Sequence, residues 1–82
     1  MHELSYALAL LETLEKSAAA RGIRLVTKVN VRIGEDTFLL ADSLEFAFSA
    51  LAQGRELLAG ARLESSFSPG REFRLISYEG EG

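Results

Sequence analysis

The first twenty residues carry apolar side chains at the spacing of an α-helix. Apolar positions recur in steps of three and four, and most charged residues fall between them. The members of this stripe are Leu4, Leu8, Leu11, Leu14 and Ala18. Gly22 stands where a left-handed C-terminal cap belongs. The pattern predicts an amphipathic helix over residues 4–20 that ends at Gly22.

The period changes to two between residues 23 and 33. One side of this alternation is apolar and the other is polar. The apolar side holds Leu25, Val29, Val31 and Ile33, and the polar side holds Arg24, Lys28, Asn30 and Arg32. This alternation predicts a β-strand with one solvated face. Residues 34–36 end the strand, and residues 37–41 are apolar without a period, so we expect a loop that folds inward.

A second helix is predicted after this loop. Asp42 fits the N-cap position, and Glu45 three residues later completes a capping box. The predicted buried stripe, with two residues that widen it, consists of Leu44, Ala47, Phe48 and Leu51 together with Phe46 and Ala50. Gly54 marks the end of this helix.

Two further strands are predicted in the last third of the chain. Residues 61–67 alternate between apolar or small and charged or polar, residues 68–70 (Ser-Pro-Gly) signal a turn, and Phe73 and Leu75 begin another alternation. Ile76 and Tyr78 continue on the opposite face unless a bulge at Ser77 changes the register, and both alternatives remain open. By spacing, we assign the phenylalanines at positions 46, 48, 67 and 73 to the core.

The order of these elements, α-β-α-β-β, predicts one α+β domain over residues 1–82. We expect the last two strands to form a hairpin and the segment 23–67 to form a parallel crossover. The result is a two-layer fold, in which a mixed three-stranded sheet carries both helices on one face.

Composition excludes several classes of function. The 82 residues include no cysteine and carry a net charge of −3, which argues against a disulfide framework, a zinc knuckle and a nucleic-acid partner. The sequence has no signal-peptide pattern and no apolar run long enough to span a membrane, so a cytoplasmic protein without a membrane partner is expected. One histidine without a nucleophile beside it leaves no catalytic pair, and we therefore expect a protein that is not an enzyme.

The amino terminus holds the candidate chemistry. His2 is the only histidine, and it follows the α-amino group of Met1 directly. An amine, a backbone amide nitrogen and an imidazole within two residues suit Ni(II) or Cu(II). Affinity should fall at low pH, because protons compete for the amine and the imidazole. The alternatives are a solvated histidine without a role, and a Glu3 that only stabilises the helix dipole.

Five segments of the chain together resemble a known family. They are residues 1–5 (MHELS), 31–35 (VRIGE), 44–48 (LEFAF), 60–64 (GARLE) and 70–75 (GREFRL). These segments, in this order, resemble the HypA/HybF family of nickel metallochaperones, which act in [NiFe]-hydrogenase maturation. The resemblance implies that Ni(II) is held by the Met1 amine, the His2 backbone nitrogen and the His2 imidazole, with Glu3 close by. It also implies a maturation GTPase and a hydrogenase large subunit as partners, or the urease equivalent.

Two departures from the family qualify this resemblance. Family members carry a zinc subdomain with two Cys-x-x-Cys pairs between their last two strands, and here the turn at residues 68–70 stands in its place, so no zinc is expected. The family often has an aspartate where Leu40 stands, and no role is transferred to that position. The alternative function is therefore a protein-interaction module that kept the fold and lost the metal. Such a module could form a homodimer through an exposed strand edge.

Overall fold

The fold consists of two helices and three strands. A computed structural model describes residues 2–82, with side chains from residue 3 onward; Met1 and the His2 side chain, both predicted metal ligands, lie outside the described residues. The main elements are helix α1 (His2–Arg21), strand β1 (Leu25–Gly34), helix α2 (Ala41–Ala52), strand β2 (Arg62–Ser68) and strand β3 (Phe73–Glu81). Short 3₁₀ turns at Glu35–Thr37 and Glu56–Leu58 flank α2. The predicted order α-β-α-β-β is confirmed.

Strand β1 is the centre of the sheet. It pairs in parallel with β2 on one side and antiparallel with β3 on the other, so the sheet is mixed as predicted and has the order β2-β1-β3. The β1–α2–β2 unit is the predicted parallel crossover. The predicted hairpin between the last two strands is wrong, because β2 and β3 lie on opposite sides of β1. Strand β1 carries four fully buried apolar residues, whereas Leu63 is the one buried residue of β2. The most apolar strand therefore takes the central position, where both of its edges are paired.

The connection from β2 to β3 crosses the end of β1. The amide of Gly34 donates to the carbonyl of Glu72 (2.6 Å), and the amide of Asp36 donates to the carbonyl of Gly70 (2.8 Å). A Cβ atom on Gly34 would clash with the Gly70 carbonyl oxygen and lie 2.8 Å from the Glu72 nitrogen. Its φ of −68° is ordinary, so glycine is needed here for close backbone approach.

Both helices pack on one face of the sheet and form the core with it. The α1 stripe is shifted from the prediction: Leu11, Leu14 and Ala18 are buried, but Leu4 and Leu8 are exposed at its margin. The buried core comprises Ala7, Leu10, Leu11, Leu14, Val26, Val29, Val31, Ile33, Leu39, Leu44, Phe48, Ala52, Leu58 and Leu63. In the described part of the chain, neither helix is long and apolar enough to cross a membrane.

Two register shifts correct the predicted strand faces. Between Val26 and Lys28 the pairing with β3 slips by one residue at Thr27, so Val26 is buried and Leu25 lies at the surface. A second shift leaves Ile76 unpaired, because Asn30 pairs with Ser77 whereas the next residue pairs with Leu75. A bulge therefore exists near the proposed position, and it turns Tyr78 toward the core.

The start of α2 also differs from the prediction. The helix begins at Ala41, its N-cap is Leu40 without a side-chain hydrogen bond, and Asp42 lies in the first turn. The predicted capping box is therefore wrong. In the preceding loop only Leu39 is buried, and Phe38 is exposed with a left-handed backbone (φ 59°).

The core assignment fails for two of the four phenylalanines. Phe48 is buried and Phe73 packs against the core, but Phe46 and Phe67 are 78% and 50% exposed. On α2 the buried residues are four apart (Leu44, Phe48 and Ala52), which places Phe46 and Ala50 outside the core stripe. Phe67 lies one residue before the end of β2.

Candidate metal site and the surface beside it

The two helices start at the same end of the molecule. Residues from the first turn of each helix, Glu3 and Asp42 among them, line one open groove. Farther along, the Arg55 guanidinium beyond α2 contacts the Glu15 carboxylate of α1 at 2.8 Å. The helices therefore run side by side in the same direction, with both amino termini together.

This end lies over the carboxyl end of β1. The Tyr6 ring of α1 packs edge-on against Phe73, with 4.9 Å between the ring centroids. Phe73 in turn pairs with Ile33, the residue before Gly34. The start of α1 is thus supported by the end of the sheet, where the β2–β3 connection crosses β1.

The terminal residues enter this arrangement as helix rather than as a free tail. The helix starts at His2, two residues before the predicted start. An α-helix leaves its first four N–H groups without an acceptor inside the helix, and His2 is the first residue of α1. Helix formation therefore does not use the His2 amide nitrogen, one of the predicted nickel donors. Among the side chains that the structure describes, no three of the His, Cys, Asp or Glu type cluster closely enough to hold a metal ion.

Glu3 and Asp42 place a negatively charged side chain in the first turn of each helix. Glu3 is half-buried and Asp42 is exposed, and both lie in the first turn of their helices. Helix amino termini carry partial positive charge, which disfavours a bound cation. The two carboxylates offset that charge and make this end more favourable for a cation. Sequence reasoning missed the position of Asp42 in this group, because only the parallel packing of the helices brings it beside Glu3.

The groove itself is mostly apolar. Its volume is about 460 Å³ and it opens to solvent along the two helix starts. Its apolar walls are formed by Leu4, Phe46, Ala47 and Ala50, and its polar end by Glu3, Asp42 and Ser43. The sequence assigned Phe46 and Ala50 to the core, so this surface was not expected.

The sequence matches a family model over most of its length. Residues 1–73 match the family described as hydrogenase/urease nickel incorporation, metallochaperone, hypA. The match includes the terminal Met-His-Glu, both helices and the parallel strand pair.

Curated relatives carry the name hydrogenase maturation factor HypA. The one from Methanocaldococcus jannaschii is 37% identical over an alignment of 87 positions, which covers 99% of this chain and 69% of the relative. The one from Roseiflexus sp. is 44% identical over 64 residues, which cover 78% of this chain and 51% of the relative. The chain thus spans between about half and about two thirds of the length of these relatives.

A solved structure has the same fold. The solution structure of the Ni metallochaperone HypA from Helicobacter pylori is similar with a TM-score of 0.86, covering 99% of this chain and 98% of that chain. At 19% sequence identity, this likeness establishes the fold and nothing about the site.

Proposed function

This chain belongs to the HypA family, and on that premise we propose that it carries Ni(II) for the maturation of a [NiFe]-hydrogenase or a urease. The observation that carries the proposal is the family match over residues 1–73, which includes the terminal Met-His-Glu. The protein then acts as a metal carrier and not as an enzyme. Ni(II) is its cargo.

We propose that the metal is held at the terminus by the Met1 amine, the His2 amide nitrogen and the His2 imidazole, with Glu3 close by. The helix start at His2 supports this ligand set, because helix hydrogen bonding leaves that amide nitrogen unused. The carboxylates of Glu3 and Asp42 support it through their charge. Leu40, at the position of the family's frequent aspartate, is exposed and has no ligand atom.

We further propose that residues 1–82 act as a single nickel-binding domain without zinc. The 82 residues contain no cysteine, and only residues 69–72 separate β2 from β3. The proposed partners are a maturation GTPase and a hydrogenase large subunit, and the proposed location is the cytoplasm.

Calorimetric titration of the untagged protein with Ni(II) tests the ligand set. The wild type should bind one equivalent, and His2→Ala should weaken binding by more than about 100-fold, since loss of outer-shell support alone weakens metal sites by about 10–100-fold. Glu3→Ala should weaken binding by about tenfold. Glu12→Ala, an exposed acid on the same helix but outside the groove, is the matched control and should bind as the wild type does. Equal affinity of the wild type and His2→Ala would show that the metal is held elsewhere.

A protein-interaction module without a metal role is the second candidate. The observation that favours it is the set of large apolar side chains at the surface near α2, including Phe38, Leu40 and Phe46. Such a module should recover the same partners whether or not its amino group is blocked. Loss of partners when the amino group is blocked would contradict this second candidate.

A further inference from the structure

We propose that the groove between the starts of α1 and α2 (the α1–α2 groove, with Leu4, Phe46, Ala47 and Ala50 as its apolar walls) binds an amphipathic helix of a partner protein that carries basic residues. This proposal goes beyond nickel carriage, because it needs no metal and the apolar walls of the groove lie outside the proposed ligand set, of which Glu3 alone also lines the groove.

The shape of the groove fits a helix. Ala47 and Ala50 lie three apart on α2 and are small, so they leave space between the larger side chains of Leu4 on one helix and Phe46 on the other. A phenylalanine that is 78% exposed beside a space of about 460 Å³ presents apolar area that the chain itself does not cover. Grooves of this kind accept the apolar face of an amphipathic helix.

The charge of the groove decides between possible occupants. Its charged lining residues are Glu3 and Asp42, both acidic, and the whole chain carries a net charge of −3. A second copy placed groove to groove would bring carboxylates against carboxylates, which is unfavourable. A helix with lysine or arginine at the end that meets the two first turns is complementary instead. We therefore assign the groove to a basic partner segment and not to self-association.

The test uses a short synthetic peptide with leucines at helical spacing on one face and lysines on the other. Titration of this peptide into the isotope-labelled full chain should shift the backbone amide resonances of Leu4, Ala47 and Ala50 in NMR spectra. Phe46→Ala should weaken binding about tenfold or more, as truncation of an aromatic anchor does. Phe38→Ala removes an equally exposed phenylalanine outside the groove lining and should bind the peptide unchanged.

A charge pair of variants separates the groove from general attraction between a basic peptide and an acidic protein. Asp42→Lys and Glu12→Lys change the net charge equally, but only Asp42 lines the groove. Asp42→Lys should weaken binding at least several-fold more than Glu12→Lys. Equal weakening by these two variants, or by Phe46→Ala and Phe38→Ala, would overturn the proposal.

Two further measurements keep the groove distinct from self-association and from the metal site. Shifts of the groove resonances on concentration of the protein alone would show that a second copy fills the groove, and would also overturn the proposal. Ni(II) affinity should be the same in Phe46→Ala as in the wild type. Phe46→Ala should lose peptide binding and keep nickel binding, and His2→Ala should lose nickel binding and keep peptide binding. The two proposals can therefore fail independently of each other.

Discussion

Two phenylalanines that lie two residues apart on α2 have opposite surroundings. Phe48 is 1% exposed and packs in the core with β1 and α1, whereas Phe46 is 78% exposed and forms a wall of the α1–α2 groove. Along α1 the same division separates buried Leu11 and Leu14 from exposed Leu4. The core face of each helix thus stabilises the fold, and its outer margin near the terminus leaves apolar surface available for a partner.

The largest expected effect contrasts the two phenylalanines directly. Phe48→Ala should lower the free energy of unfolding by about 3–5 kcal/mol, because it removes a buried ring and leaves a cavity. Phe46→Ala should change it by no more than about 0.5 kcal/mol, as is typical of surface positions. Urea denaturation of both variants measures the difference. Similar losses in the two variants would mean that the groove wall is part of the core.

A second prediction concerns the close backbone packing at the same end of the molecule, where the β2–β3 connection crosses β1. Gly34→Ala should destabilise the protein by about 1–3 kcal/mol, because the added Cβ meets the connection at Gly70 and Glu72. Gly60 is the control, since a Cβ there has no neighbour within 4 Å. Gly60→Ala should leave stability unchanged or raise it by up to about 1 kcal/mol. In thermal denaturation, Gly34→Ala should melt below both the wild type and Gly60→Ala, and coincident melting curves of the two variants would contradict the crossing geometry.

A third prediction concerns the opposite end of α1. The Ser17 and Tyr78 hydroxyls lie 2.6 Å apart and join α1 to β3 in a partly buried position. Tyr78→Phe should lower the unfolding free energy by about 1 kcal/mol. A cycle with Ser17→Ala should show that the two losses are not additive. Peptide binding should be unaffected, since neither residue lines the groove, and a change in binding would argue that the two ends of the helix are coupled.

The smallest expected effect belongs to the ion pair between Glu15 and Arg55. Both side chains are partly exposed, so a double-mutant cycle with Glu15→Ala and Arg55→Ala should give a coupling of about 0.2–1 kcal/mol that decreases at high salt. The core, rather than this pair, then keeps the helices side by side. A coupling energy as large as the stability loss in Phe48→Ala would mean that the ion pair contributes as much as the core does.

Elements in which apolar residues recur at a regular spacing were predictable from the sequence. The alternation of Val29, Val31 and Ile33 and the stripe of Leu11, Leu14 and Ala18 have the faces expected of them. The slips at Thr27 and Ile76 were not predictable in position, because a bulge depends on how two strands pair. The hairpin prediction failed for a related reason: neighbours in sequence need not be neighbours in a sheet whose most apolar strand takes the centre.

The candidate site was likewise predictable from the sequence only in part. Residue type and position point to His2 and the terminal amine as the metal candidate, because no other histidine and no cysteine exist in the chain, whereas Glu3 was added by the family resemblance. The groove was hidden, since Phe46 and Ala50 look like core residues until the crossing of α2 over the sheet is known. Asp42 was misassigned as a cap, because α2 begins at Ala41 with Leu40 as its N-cap, which places Asp42 in the first turn.

The most direct test of the central claim, nickel binding at the free terminus, is the visible absorption of Ni(II) bound to two forms of the protein. One form has a free amino group at Met1, and the other is acetylated there, which removes the amine donor without altering any side chain. The free form should show the absorption band of square-planar Ni(II) with amide nitrogen ligation, and the acetylated form should lose it. The same band and the same affinity in both forms would contradict the assignment of nickel to the Met1 amine and the His2 nitrogens.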